Sequence, residues 1–155
     1  MKKIKNFLVK EEIDLLKNYM IQKHRVNQDN FDFLKSKRGE SCFYEDPIIN
    51  SLVICKHKKI EKETGLKLSL THSFCKIYNF GSVLENHDDK EFCEINLRIH
   101  LGSDGTSWPI YIGENLIELE EGDACMYLGS EAPYKKERFE GDWYTQIFLH
   151  YINNQ

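Results

Sequence analysis

The sequence predicts a small α+β domain, mainly β: a sandwich or jelly roll with two amino-terminal helices packed on one outer face. Two observations carry this. Up to about residue 65 apolar residues recur at helical spacing, and from Leu66 onward the period switches to two. No low-complexity linker, repeat or break in composition separates the two parts, so residues 1–155 read as a single domain, helical over 1–65 and barrel-forming over 66–152.

The first helix is predicted over residues 8 to 22, where Leu8, Ile13, Leu16, Met20 and Ile21 share a face of about 3.6-residue period. A polar connection runs from Asn27 to Glu45. Asp46-Pro47 is a cap followed by a first-turn proline and Gly65 stands just past IINSLVICKHKKIEKET, so a second helix over about 47 to 63 carries both punctuation marks. Ile49, Leu52, Val53 and Ile60 would face inward. The strands are then LKLSLTHSFCKIY, CEINLRIHL, WPIYIG, LIELE, ACMYLG and WYTQIFLHYI, separated by the glycine-bearing turns NFGS, GSDG, GEN and EEGD.

Composition excludes several classes of function. Lys plus Arg total 21 against 25 Asp plus Glu, a net charge of −4, with no long block of one sign, which argues against recognition of nucleic acid or membrane by bulk charge. The amino terminus MKKIKNFLVKEEIDLL has its apolar run broken by Lys10, Glu11 and Glu12 and makes neither a signal peptide nor a membrane span. Cys42, Cys55, Cys75, Cys93 and Cys125 are odd in number, widely spaced and free of any C-x-x-C pair. A reduced, cytoplasmic location is the expectation.

The chemistry starts at Asn86-His87-Asp88-Asp89. On an extended segment His87 and Asp89 point to one side and can share a metal ion, half of the two-histidine, one-carboxylate set of non-haem iron oxygenases. Around them, EKETGLKLSLTHSFCKIYNFGSVLENHDDKEFCEINL, WPIYIG and LEEGDACMYLGSEAPYKKERFEGDWYTQIFLHYI follow in an order and spacing that resemble the small prolyl-4-hydroxylase-like members of the 2-oxoglutarate and Fe(II)-dependent dioxygenases, over nearly all of residues 60 to 152. The resemblance implies a double-stranded β-helix, Fe(II) at His87 and Asp89, and 2-oxoglutarate as co-substrate touched by Tyr78. The substrate would be a small molecule or an amino-acid or peptidyl side chain.

The departures from that pattern define the remaining candidates. Tyr134 and Lys136 stand where the family has a histidine followed two residues later by arginine, so the third metal ligand is either Tyr134, His100 or water, and Tyr134 is otherwise a rim aromatic. A phenol has an ordinary pKa near 10, so a metal must drive its deprotonation. Lys136 belongs to KKER, which reads as a solvated turn and makes it a surface or rim cation. In CEINLRIHL the odd positions are apolar, which leaves Glu94, Asn96, Arg98 and His100 on the other face. If helices cover the apolar side, Arg98 and His100 enter the barrel interior, where Arg98 either binds a carboxylate or pairs with Glu94 or Asp89. Tyr144, Gln146 and His150 share one face of the last strand and either line the same pocket or, as FLHY also allows, serve in packing; Trp108 and Trp143 are core and edge aromatics.

An iron oxygenase with an altered coordination sphere is the first reading. A catalytically inactive barrel that uses a pocket of Arg98, His100 and Lys136 to bind an anionic ligand or partner, and a non-oxygenase metal enzyme, are the alternatives. Asp89→Ala separates them, because only the last and the first need the metal.

Overall fold

A computed structural model describes residues 1–29, 39–87, 94–129 and 133–154. Its elements in chain order are β1 (Lys2–Ile4), α1 (Lys10–Asp29), β2 (Ser41–Tyr44), α2 (Pro47–Thr64), β3 (Leu68–Asn79), β4 (Leu84–His87), β5 (Ile95–Ser103), β6 (Ile110–Ile112), β7 (Asn115–Ile117), β8 (Ala124–Leu128), β9 (Tyr134–Lys136) and β10 (Trp143–Asn153). Both predicted helices form. The first is longer than its apolar period indicated, and the second begins and ends at the predicted marks.

Local chemistry sets the ends of α2. The Asp46 carboxylate accepts hydrogen bonds from the free amides of Ile48 (2.9 Å) and Ile49 (3.3 Å), and Gly65 closes the other end at φ +74°, where its amide reaches Glu61 O. Asp46 also joins the helices, since its second oxygen takes the Tyr19 hydroxyl at 2.7 Å and the Lys23 ammonium.

The strands build two antiparallel sheets. The larger runs β1-β8-β5-β10-β3-β2 and the smaller β4-β9-β6-β7, the two-sheet arrangement of a jelly roll. Central β5 is buried on both faces from Ile95 to Gly102. Its odd residues Ile95, Leu97, Ile99 and Leu101 join Leu16 and Met20 of α1 and Ile49, Leu52, Val53 and Ile60 of α2 in the main core. Each such aliphatic side chain contributes roughly 1.5–3 kcal/mol by leaving water. That requirement fixes the strand's parity, and it turns Asn96, Arg98 and His100 toward the space between the sheets.

Gly122 shows how closely α1 and the sheet approach. It adopts φ +84°, and a Cβ there would lie 2.6 Å from Ile13 Cδ1 and 3.1 Å from the Leu8 carbonyl oxygen. The polar connection expected from Asn27 to Glu45 contains the end of α1 and all of β2, and β1, β4 and β9 also form where no strand was predicted. Cys42, Cys55, Cys75 and Cys125 are free thiols, and among the described residues no helix is long and apolar enough to cross a membrane.

Candidate functional site

Pairing across the large sheet arranges its inner face in layers. Asn96, His150 and His72 are cross-strand partners in one layer, Arg98, Phe148 and Phe74 in the next, and His100, Gln146 and Lys76 in the third. Tyr144 and Tyr78 pair beyond them. From the facing sheet, the short strand β9 presents Tyr134 and Lys136 inward and Lys135 to solvent.

Arg98 occupies the middle of this space. Its Nε donates to the Tyr127 hydroxyl at 2.7 Å, and its guanidinium carbon lies 4.0 Å from the ring centre of Tyr134 and 5.0 Å from that of Phe148. Two aromatic faces and one hydrogen bond thus hold the guanidinium, while its Nη1 is buried without a partner among the described residues. The expected alternative of a pair with Glu94 does not form. Glu94 is exposed and its carboxylate accepts from the Asn153 amide at 2.9 Å, because its position precedes the region where β5 enters the barrel. Asp89, the other proposed partner, lies outside the described residues.

Lys136 is a correction to the sequence reading. Far from being a rim cation, it is 2% exposed, with Nζ 3.7 Å from the Trp108 ring centre and 4.3 Å from that of Tyr144 and no hydrogen-bond partner among the described residues. The reason is strand parity: β9 pairs with β4 on one side and β6 on the other, and alternation then sends residues 134 and 136 to the same inner side. Burial first, and the neighbouring charge of Arg98 second, hold its pKa well below 10.5.

The other candidates gather around these two. His100 stacks on Tyr144 with ring centres 4.2 Å apart, its Nδ1 has no hydrogen-bond partner among the described residues, and burial followed by Lys136 pushes its pKa down to about 4. It lies one layer beyond Arg98, beside Lys136. Gln146 is 1% exposed with both amide atoms unpaired among the described residues. Tyr78 meets the edge of Trp108 at 4.9 Å, and burial raises the pKa of Tyr78 and Tyr144. His150 is at the opposite end: its Nδ1 bonds Asn96 Oδ1, its ring stacks on His72 at 4.2 Å, and burial, then His72, lowers its pKa to about 3.

The β4–β9 register places the backbone of His87 directly opposite Tyr134. Asp89 lies outside the described residues, and among those described no group of three or more His, Cys, Asp or Glu is close enough to hold a metal. Sequence reasoning missed two residues. Trp108, read as packing, forms the box around Lys136, and Tyr127 anchors Arg98; the alternation of ACMYL, which turns Cys125 and Tyr127 to one side, was the available signal for the second.

The chain matches no protein-family model and no curated protein. Among solved structures it is similar to a viral collagen prolyl hydroxylase of Paramecium bursaria Chlorella virus-1 in complex with 2-oxoglutarate, with a TM-score of 0.71 at 13% identity over 97% of this chain and 93% of that one. A prolyl-4-hydroxylase of Pseudomonas putida gives 0.64 at 14% identity over 99% and 92%. HygX of Streptomyces hygroscopicus with nickel and 2-oxoglutarate bound gives 0.69 at 11% over 96% and 80%. The fold is therefore a double-stranded β-helix (jelly roll), as in those structures, with two amino-terminal helices on its larger sheet.

Proposed function

We propose that this protein is a non-haem iron oxygenase that uses 2-oxoglutarate to oxidise a small molecule or an amino-acid or peptidyl side chain. The observation that supports the reading is the set of buried polar atoms on the inner wall that have no hydrogen-bond partner among the described residues: Arg98 Nη1, Lys136 Nζ, His100 Nδ1 and both amide atoms of Gln146. Leaving such atoms unpaired costs roughly 1–3 kcal/mol each, and a donor-rich, cationic wall suits the carboxylates of 2-oxoglutarate. Structural neighbours that carry this molecule in the same fold support the choice.

In this reading His87 and Asp89 hold Fe(II), with Tyr134 as the third protein ligand. The register that sets Tyr134 across from His87 supports that role, and the adjacent guanidinium of Arg98 favours a phenolate. Bound iron with 2-oxoglutarate and oxygen supplies the oxidising power, yielding succinate, carbon dioxide and the oxidised substrate. The chain's own residues bind and exclude. Lys136, Gln146 and His100 receive the co-substrate, and Trp108, Tyr144 and Tyr78 keep water from it.

Anaerobic titration of the protein with Fe(II) in the presence of 2-oxoglutarate tests the proposal. A saturable visible charge-transfer band that Asp89→Ala abolishes is the expected result, and Tyr134→Phe should shift or weaken it while His100→Ala leaves the metal in place. Absence of any band, with no metal retained, would overturn the oxygenase reading.

A further inference from the structure

At the end of the barrel away from Lys136, the inner face of the large sheet carries a ladder of aromatic rings. His150 and Phe148 of β10 stack on His72 and Phe74 of β3, with ring centres 4.2 and 4.4 Å apart and planes within 11° of parallel. Phe74 in turn meets Tyr44 of β2 at 5.4 Å. The layer of Phe74 thus runs on to a third ring, Tyr44, whereas the layer of His72 stops at His72 itself.

The missing ring follows from where β2 ends. Tyr44 is its last residue and pairs with Phe74. Glu45 then takes φ +49°, gives its amide to Ser73 O and leads into the α2 cap at Asp46, so β2 has no residue opposite His72. One face of the His72 ring lies on His150, and the other points across the sheet, past the end of β2. His72 and Phe74 are half-buried and Tyr44 is 69% exposed, so the notch beside them opens to solvent.

We infer that this notch binds a planar, uncharged aromatic ring, stacked on the outer face of His72 beside Tyr44, and that the substrate presents this ring as an aryl side chain or a small arene. The ligand's role as substrate rests on the proposed function; the ring site does not. Spacing suits a ring, since neighbouring strands lie about 4.7–4.9 Å apart and a ligand that continues the row repeats the separation already seen between His150 and His72. Shape favours a flat one, because offset-stacked faces gain from contact that a puckered saturated ring cannot make. Charge disfavours an anion. The Glu45 carboxylate stands at the end of β2, where it accepts from the Ser73 amide at 2.7 Å and from Asn50 at 3.1 Å. The ladder also reaches the proposed metal ligand, since the Arg98 guanidinium carbon lies 5.0 Å from the Phe148 ring centre and 4.0 Å from that of Tyr134.

N-acetyl-phenylalaninamide and its saturated counterpart N-acetyl-cyclohexylalaninamide are the discriminating probes, because both are uncharged and the second is the more apolar. In NMR titrations of EDTA-treated full-length protein the phenyl compound should bind roughly two- to tenfold more tightly and shift the resonances of His72 and Tyr44. His72→Ala should abolish that preference and His72→Phe should retain it. Tyr44→Ala, at an exposed position, should reduce it without lowering the melting temperature, and Phe80→Ala, at an exposed aromatic between β3 and β4, should leave it unchanged. Equal or tighter binding of the cyclohexyl compound, or a preference that survives His72→Ala, overturns the inference. The charge-transfer band with Fe(II) and 2-oxoglutarate separates this result from the oxygenase reading. A band without ring preference leaves the oxygenase standing and removes the aromatic site; ring preference without a band sustains the site and removes only the oxygenase and the ligand's role as its substrate.

Discussion

Replacing Lys136 by methionine removes a buried amine and keeps nearly the same shape. The side chain is 2% exposed and Nζ has no hydrogen-bond partner among the described residues, so the lysine carries the penalty of a buried unsatisfied donor, roughly 1–3 kcal/mol. Its approach to Trp108 and Tyr144, at 3.7 and 4.3 Å, returns about 0.5–2 kcal/mol when the amine is charged. Methionine fills irregular space and packs well on aromatic rings. The net expectation at pH 7 is a gain of about 1 kcal/mol, which for a chain of 155 residues raises the melting temperature by about 2–4 °C. The pH dependence is the sharper readout. Because burial holds the folded pKa below 10.5, the unfolded chain binds more protons between the two values, and the parent protein must gain stability as pH rises through that window, by at most about 1.4 kcal/mol per pH unit for one site. Lys136→Met should lack that slope, so its advantage is largest at the lower pH values and fades toward 10.5. Urea denaturation followed by circular dichroism at several pH values between 7 and about 10 measures both quantities. A variant less stable than its parent at pH 7, with the same slope as the parent, would refute the placement of Lys136 as an unpartnered interior amine.

The buried histidines give the opposite limb of the pH profile: with folded pKa values of about 4 for His100 and about 3 for His150, both are neutral in the native protein, and stability should fall as pH drops from about 6.5 toward those values, by up to about 1.4 kcal/mol per unit and site. His100→Phe, which keeps a ring on Tyr144, should flatten part of that loss in denaturation curves taken from pH 7 to 4.5. Asp46→Ala should cost about 3 kcal/mol in chemical denaturation, since it removes the α2 cap and strands Lys23 and Tyr19, whereas Asp46→Asn retains the cap and should cost less. Gly122→Ala combines a left-handed φ of +84° with a contact at 2.6 Å from Ile13, and should lower stability by roughly 1–3 kcal/mol; a neutral effect would mean that α1 yields at this point.

The residues themselves settled the helices and the long strands. Asp46, Pro47 and Gly65 bound α2 through hydrogen bonds and dihedral preferences that act within a few residues of each other, so their pattern is legible without the rest of the chain. The alternation in CEINLRIHL likewise predicted that Arg98 and His100 share one face, and burial of Ile95, Leu97, Ile99 and Leu101 against the helices turns that face inward. Tyr144, Gln146 and His150 followed from the same parity on β10. Strands β1, β2, β4 and β9 are another matter: they span only three or four residues, and their hydrogen-bond partners lie between about twenty and over a hundred residues away in sequence. So short a segment carries no period of its own. KKER therefore looks like a solvated turn until pairing with β4 and β6 assigns Lys136 to the inside, where the walls of Trp108 and Tyr144 come from other parts of the chain. Local free energies, written into neighbouring residues, determined the scaffold; Lys136 joins Arg98 in the interior only because long-range pairing fixed which side of β9 faces in.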